Sequence, residues 1–431
     1  MKRAGIAAAV ASISVGVCVT TVAQAQDAEE TATTTTTQTS AAPTTGYYDD
    51  AGSWVPPSRG RAPDTDACPQ ATWPPEPVST SERSASSPLP LPVTYDGPCG
   101  VTAADGYKVP DGVVASAWLV ADLDSGEVVA MKDPHGRYRP ASIIKVLLAL
   151  TVIDELPLDQ KVPVSAESAN QEGSRAGIGE GGDYTVKDLL HGLILSSGND
   201  CAHALAQALG GDEVTLLKVN ELAKKLGMTD TRATSYSGLD SPGMSTSAWD
   251  MGLAYRTAFA NPTFADIADT EHYPFPGFGE EPAFELWNDN KLYLNDPDGI
   301  GGKTGYTDDA NHTFVGAVNH DGRRLVAVVL DTAAYDHRAW EQAQMLLHEA
   351  YGVRSSVATL EAASATTTAP LTTEAAPSPT PSAGAGSESG SGEGTAWKSW
   401  WAYLIVAGVL ALAAVVAALS LGTGAKRRRR R

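Results

Sequence analysis

Ser142 and Lys145 stand three apart in "RPASIIKVLLAL", residues 139–150, and this Ser-x-x-Lys spacing occurs once among the 431 residues. Residues three apart share one face of a helix, a single turn from each other. A serine hydroxyl is a weak nucleophile at neutral pH and needs a base within hydrogen-bond reach. A lysine serves as that base only when desolvation or a neighbouring positive charge lowers its pKa. The pair alone is equally compatible with the ordinary start of a buried helix, so other residues must decide. Fifty-five residues on, Ser197-Gly198-Asn199 closes an apolar helical run, and 106 residues beyond Ser197 comes Lys303-Thr304-Gly305, inside "GIGGKTGYT". The second lysine, Lys303, is the charge that would depress the pKa of Lys145.

The elements that must hold these groups can be sketched from periodicity. "ASAWLVADLDSGEVVAMKD" is two alternating apolar runs around Asp-Ser-Gly-Glu, the pattern of a β-hairpin. Ser142 then opens a helix through about Leu156, with Pro140 just ahead of it. The chain turns helical through "TVKDLLHGLILSSGNDCAHALAQALGG" and "EVTLLKVNELAKKLG", each ended by glycine. After Gly299 strands return, with "HTFVGAVNHDGRRLVAVVLDT" turning at Asp321-Gly322, and "HRAWEQAQMLLHEAYG" is a closing amphipathic helix. Strands at both ends with helices between predict an α/β (α+β) domain: one antiparallel sheet flanked by helices, with a helical insert.

The three motifs, in this order, are the constellation of serine penicillin-recognising enzymes. More narrowly, "RPASIIK", "SGND", "SYSGLDSPGMSTSAWDM" and "DGIGGKTGYT" resemble the D-alanyl-D-alanine carboxypeptidases, the low-mass penicillin-binding proteins, over about Val113 to Gly352. The resemblance implies a β-lactamase/transpeptidase-like fold, a Ser142 acyl-enzyme with Lys145 as base, peptidoglycan stem peptides as substrates and β-lactams as inhibitors, without cofactor or metal. It also implies roles by position. Ser197 relays the proton to the leaving D-alanine amine and Asn199 holds a substrate amide. The N–H groups of Ser142 and Tyr306 form the oxyanion hole. Gly305 lets the substrate backbone approach the strand edge. Thr304 and Arg338, in "HRAWE", take the substrate carboxylate. The chain departs from some members in lacking the further β-domain before the anchor.

Two other functions share part of this pattern. A class A-like β-lactamase needs a Glu-x-x-Leu-Asn string for its deacylating water, and none lies between Asn199 and Lys303. A catalytically silent cell-wall-binding module would have no use for both lysines. His191 and His203 read as structural, Asp200 as a helix-start residue, and Cys201 as buried filler.

The ends of the chain predict its location. Residues 1–25 have a basic start, an apolar stretch and Ala23-Gln24-Ala25, the form of a secretory signal peptide. A lipoprotein reading through Cys18 is disfavoured by the bulky Val17 before it. Residues 400–422 carry no charge and are long enough for a single C-terminal transmembrane helix, with Trp397, Trp400, Trp401 and Tyr403 at one interface. The basic tail 423–431 belongs in the cytoplasm by the positive-inside rule, which puts the catalytic domain on the extracellular, cell-wall side of the membrane. Residues 26–92 and 355–396 are low-complexity Ser/Thr/Ala/Pro/Gly segments without the apolar content for a core, leaving 93–354 as the folded unit. Eight of the 31 basic residues and none of the 51 acidic ones lie in the two end segments, so the exported part holds 51 acidic against 23 basic residues, a net of −28. Such a surface excludes nucleic acid as a partner. Cys68 and Cys99 flank the domain entry and are a candidate disulfide pair in an oxidising compartment, bridged or not. No Cys/His cluster has zinc spacing.

Overall fold

The computed structural model describes residues 47–48, 54–55, 59–78, 88–334 and 336–361, all within the unit Met1–Thr366. The signal peptide, the transmembrane helix, the basic tail and most of both linkers lie outside the described residues. Among the described residues no helix is long and apolar enough to cross a membrane.

A short pair, β1 (Tyr47–Tyr48) and β2 (Trp54–Val55), precedes the main body. The central sheet is built from β3 (Val101–Ala103), β4 (Ala117–Asp122), β5 (Glu127–Lys132), β10 (Gly299–Thr307), β11 (Asn311–His320), β12 (Arg323–Thr332) and β13 (Ala358–Thr359). Its order is β10-β11-β12-β4-β5-β13, with β3 also on β5, and every pairing is antiparallel. Two further hairpin-like pairs lie outside it, β6 (Lys161–Pro163) with β7 (Asp183–Thr185), and β8 (His272–Phe275) with β9 (Phe284–Trp287).

Between the two halves of the sheet run the helices. They are α1 (Lys145–Glu155), α2 (Ala166–Ala169), α3 (Val186–Leu195), α4 (Asn199–Ala208), α5 (Asp212–Lys225), α6 (Ala248–Ala260), α7 (Pro262–Ala268) and α8 (Lys291–Asn295); α9 (Ala339–Ala350) follows the last long strand. Residues alternate across a strand with period two, and here both faces are covered. Leu119, Val326 and Val328 face the core shared with α1, α3 and α6. Trp118, Val120, Ala327 and Val329 face Leu346 and Leu347 of α9. This is why "AWLVA" and "LVAVVL" read as unbroken apolar runs rather than half-polar strands. In α1 every residue from Lys145 to Val152 is buried, which makes it the axis of the helical layer.

Part of the segment expected to be linker packs on the domain. Residues 59–78 form no helix or strand, so their backbone groups need partners elsewhere, and basic side chains of the domain provide them. Lys132 Nζ donates to the carbonyl of Pro63 at 2.6 Å, Arg137 to those of Thr72, Leu91 and Pro92 at 2.9, 2.6 and 2.7 Å, and Arg139 to that of Pro75 at 2.6 Å. In return Arg59, 7% exposed, donates to both carboxylate oxygens of Asp331, to its carbonyl and to Ser116 Oγ. Val78 N donates to Asp309 Oδ1 at 2.5 Å. Cys68 and Cys99 form a disulfide. At the other end the sheet extends past residue 354, through β13.

Candidate active site

Ser142 does not lie in the α-helix. It sits in the 3-10 turn Ala141–Ile144, and α1 begins at Lys145. The helix cannot extend back through Ala141, whose backbone is left-handed (φ +47°). Three contacts fix the turn. Thr313 Oγ1 on β11 donates to the carbonyl of Pro140 at 2.8 Å, and Tyr255 OH on α6 donates to that of Ile143 at 2.9 Å. Gly238 lies directly over Ala141; a Cβ at that position would collide with the Ala141 carbonyl.

One turn along, Lys145 Nζ stands 2.8 Å from Ser142 Oγ, 2.7 Å from Asn199 Oδ1 and 2.6 Å from the carbonyl of Ser237. The lysine is fully buried. Burial pushes its pKa well below the usual lysine value and the charge of Lys303 pushes the same way, against the opposing pull of Asp289, Asp200 and Cys201. A neutral amine beside the hydroxyl is the species that can accept its proton. Lys303, 1% exposed on β10, is itself lowered by burial and held up by Asp289; its Nζ donates to the carbonyl of Thr304 at 3.0 Å and to Thr304 Oγ1 at 3.3 Å.

Asn199 begins α4 and Ser197 precedes it in left-handed backbone (φ +60°), both at most 5% exposed. Both ends of the Asn199 amide are engaged: Oδ1 by Lys145, and Nδ2 by donation to the carbonyl of Glu172 at 2.6 Å. Its first task in the free protein is therefore to orient Lys145, with one lone pair of Oδ1 left for a substrate N–H. Gly305 brings β10 against the nucleophile turn: a Cβ there would collide with Thr313 Oγ1 and come within 3.1 Å of Ser142 N. Tyr306, next along, is 42% exposed, its ring 4.8 Å from that of His312. Arg338 is an exposed residue at the N-cap of α9 and lowers the pKa of the half-buried His312, second to desolvation.

Three contributors are not foreshadowed by residue type. Ser237 acts through its carbonyl, which any residue carries. Asp200 does more than start a helix: fully buried, its carboxylate accepts from the N–H groups of Ala176, Gly177, Ile178 and Cys201. It thereby anchors the loop whose Glu172 carbonyl holds Asn199. Asp289 accepts the hydroxyl of Thr304 at 2.9 Å. Cys201 is buried and unpaired, with its thiol pKa pushed well up by burial, as its reading as filler requires.

Comparison with known proteins agrees with this geometry. The profile of the peptidase S11 family, D-alanyl-D-alanine carboxypeptidase, matches residues 104–334. The D-alanyl-D-alanine carboxypeptidase DacB2 of Mycobacterium tuberculosis is 45% identical over 232 residues, 53% of this chain and 79% of that protein. DacF of Bacillus subtilis, also a D-alanyl-D-alanine carboxypeptidase, is 28% identical over 238 residues, 54% of this chain and 61% of that protein. Among solved structures, a D-alanyl-D-alanine carboxypeptidase from M. tuberculosis H37Rv superimposes with a TM-score of 0.57 at 41% identity, covering 60% of this chain and 98% of that one. A cysteine mutant of the Streptomyces K15 DD-transpeptidase gives 0.52 at 24% identity, over 56% and 98%, a likeness of fold alone.

Proposed function

We propose, from the premise that this chain belongs to the D-alanyl-D-alanine carboxypeptidase family, that it is a serine-type enzyme removing the terminal D-alanine from peptidoglycan stem pentapeptides. The observation that carries the reading is the buried Lys145 amine 2.8 Å from Ser142 Oγ, with a second buried lysine on the facing strand. Ser142 Oγ attacks the carbonyl carbon of the penultimate D-alanine while its proton passes to Lys145. The negative oxygen of the tetrahedral intermediate is held by the N–H groups of Ser142 and Tyr306. As the carbon–nitrogen bond breaks, a proton returns through Ser197 to the leaving amine and free D-alanine departs. Water, deprotonated by Lys145, then attacks the Ser142 ester; the bond from the acyl carbon to Oγ breaks as Lys145 returns the proton to Ser142 Oγ, and the shortened peptide leaves. Lys303, Thr304 and Arg338 receive the terminal carboxylate, and Asn199 a substrate amide. A β-lactam enters the same first step and its ring-opened acyl group stays on Ser142.

The same reading places the protein in the cell membrane as a single-pass protein, exported by residues 1–25 and held by 400–422, with the catalytic domain facing the wall. It rests on the uncharged length of 400–422 and the basic tail behind it.

The deciding assay is release of free D-alanine from a pentapeptide ending in D-Ala-D-Ala, run beside labelling with a fluorescent penicillin. Release with stable labelling is expected. Labelling that decays quickly without D-alanine release would make the protein a β-lactamase, and no labelling a binding module.

A further inference from the structure

Asp289 lies in the stretch between β9 and α8, away from the three motifs, yet it is built into the site. Its own N–H donates to the carbonyl of Leu195 at 2.8 Å, which ties it to the end of α3 just ahead of Ser197. Two buried asparagines flank it. Asn288 Nδ2 donates to the carbonyls of Ala268 and Thr270 at 3.2 and 2.9 Å, and Asn290 caps α8 by accepting from Tyr293 N. So held, the carboxylate has little freedom. Oδ2 accepts the Thr304 hydroxyl at 2.9 Å, while Oδ1 is buried with no hydrogen-bond partner among the described residues. The Thr304 oxygen in turn accepts from Lys303 Nζ at 3.3 Å. The single proton of Thr304 is thus aimed at Asp289 and one of its lone pairs at Lys303.

We propose that Asp289 is a positioning residue of this active site, which orients the Thr304 hydroxyl and, through it and by its negative charge, holds Lys303 as a cation. This role rests on the carboxypeptidase reading given above. A buried carboxylate oxygen without a hydrogen bond is costly unless charge compensates it, and the compensating charge is the Lys303 ammonium. The groups facing Lys145 are Lys303, Asp289, Asp200 and Cys201; those facing Lys303 are Asp289 and Lys145.

The sign of the pH effect follows. Lys145 works neutral, so activity rises as pH passes upward through its pKa; Lys303 works charged, so activity falls as pH passes upward through its own. The negative charge of Asp289 raises both pKa values. Asp289→Asn keeps an acceptor for Thr304 but removes the charge, so both limbs of the profile move to lower pH.

The test is the rate of acylation by fluorescent penicillin, and of D-alanine release, measured on the full chain from about pH 5 to about pH 10. For Asp289→Asn both limbs are expected to shift downward by about 0.5–1 pH unit. Asp289→Glu, which restores the charge, should return them towards the wild-type positions, and Asp289→Ala, also uncharged and expected to shift both limbs downward, replaces the asparagine variant if that one does not fold. Limbs that stay in place while only the amplitude falls would overturn the proposal, as would a glutamate variant shifted as far as the asparagine one. A wild-type protein that neither labels nor releases D-alanine would take down the carboxypeptidase reading and this role with it. A wild type that is active beside an unshifted variant removes this role alone.

Discussion

Lys145 Nζ lies 2.8 Å from Ser142 Oγ, and both groups also converge on the carbonyl of Ser237, at 2.6 and 3.5 Å. The lysine donates to that carbonyl and to Asn199, which fixes its amine while leaving it one turn from the hydroxyl it serves. Ser142→Ala should therefore abolish penicillin labelling and D-alanine release while leaving the unfolding midpoint nearly unchanged. Intact-mass measurement after penicillin treatment checks it. An adduct on the alanine variant would move the nucleophile elsewhere.

The two lysines should separate by charge chemistry. Lys145→Arg places a guanidinium, which does not deprotonate, beside Ser142, and acylation should fall roughly a thousandfold, within the range ascribed to a positioned base. Lys303→Arg keeps the cation and should retain measurable activity. Equal activities in the two variants, from stopped-flow acylation rates, would count against these assignments.

Arg338 is exposed at the N-cap of α9, and its charge lowers the pKa of His312, whose ring meets that of Tyr306. A charge-assisted hydrogen bond to the substrate's chain end contributes about 1.5–3 kcal/mol, so Arg338→Ala should lower kcat/KM for free-acid peptides about ten- to a hundredfold. Amidated analogues should lose far less. A proportional loss on both substrates would make Arg338 a surface residue only.

Asp200 holds four backbone N–H groups, and an amide in its place turns part of that acceptor array into donors. Asp200→Asn should cost about 2–4 kcal/mol of stability. It should also lower the acylation rate, because Asn199 depends on the same loop through Glu172 and Ser174. Denaturant unfolding and acylation kinetics on one preparation test the coupling; a stable variant with normal kinetics would break it.

The disulfide joins residues separated by 31 positions. Replacing both Cys68 and Cys99 by serine should lower stability by about 3–4 kcal/mol by chain entropy. Thermal unfolding of the variant, and of the wild type with and without reductant, should show the same drop. Identical midpoints would mean that the arginine contacts alone hold the strap.

What the sequence made legible were features with a spacing or a turn signature. Ser142 and Lys145 three apart, Ser197 and Asn199 after an apolar helix, and Lys303 inside a glycine-rich strand all carry their roles in side-chain type. The hairpins announced themselves at Asp-Ser-Gly-Glu and at Asp321-Gly322. What stayed hidden acts through groups that every residue has. Ser237 offers only a carbonyl. The strap 59–78 has no apolar period because its backbone is satisfied by Arg137 and Arg139 of the domain. β3 and β13, three and two residues long, are too short for alternation to register. The 3-10 turn at Ser142 follows from one left-handed residue, Ala141, of a type that seldom adopts that conformation.

The clamp of Arg59 on Asp331 joins residues 272 positions apart, and β4 finds its partner β12 by pairing Ala117 with Leu330. Synthesis proceeds from the amino end, so the strap is made long before the strand it grips. Until β12 exists, β4 and β5 are a hairpin with an open edge, and until β10 exists, the turn of Ser142 and the helix that Lys145 begins lack the strand that faces them. Contacts so distant along the chain form slowly. A chain halted between Lys145 and Lys303 therefore has a nucleophile but no enzyme.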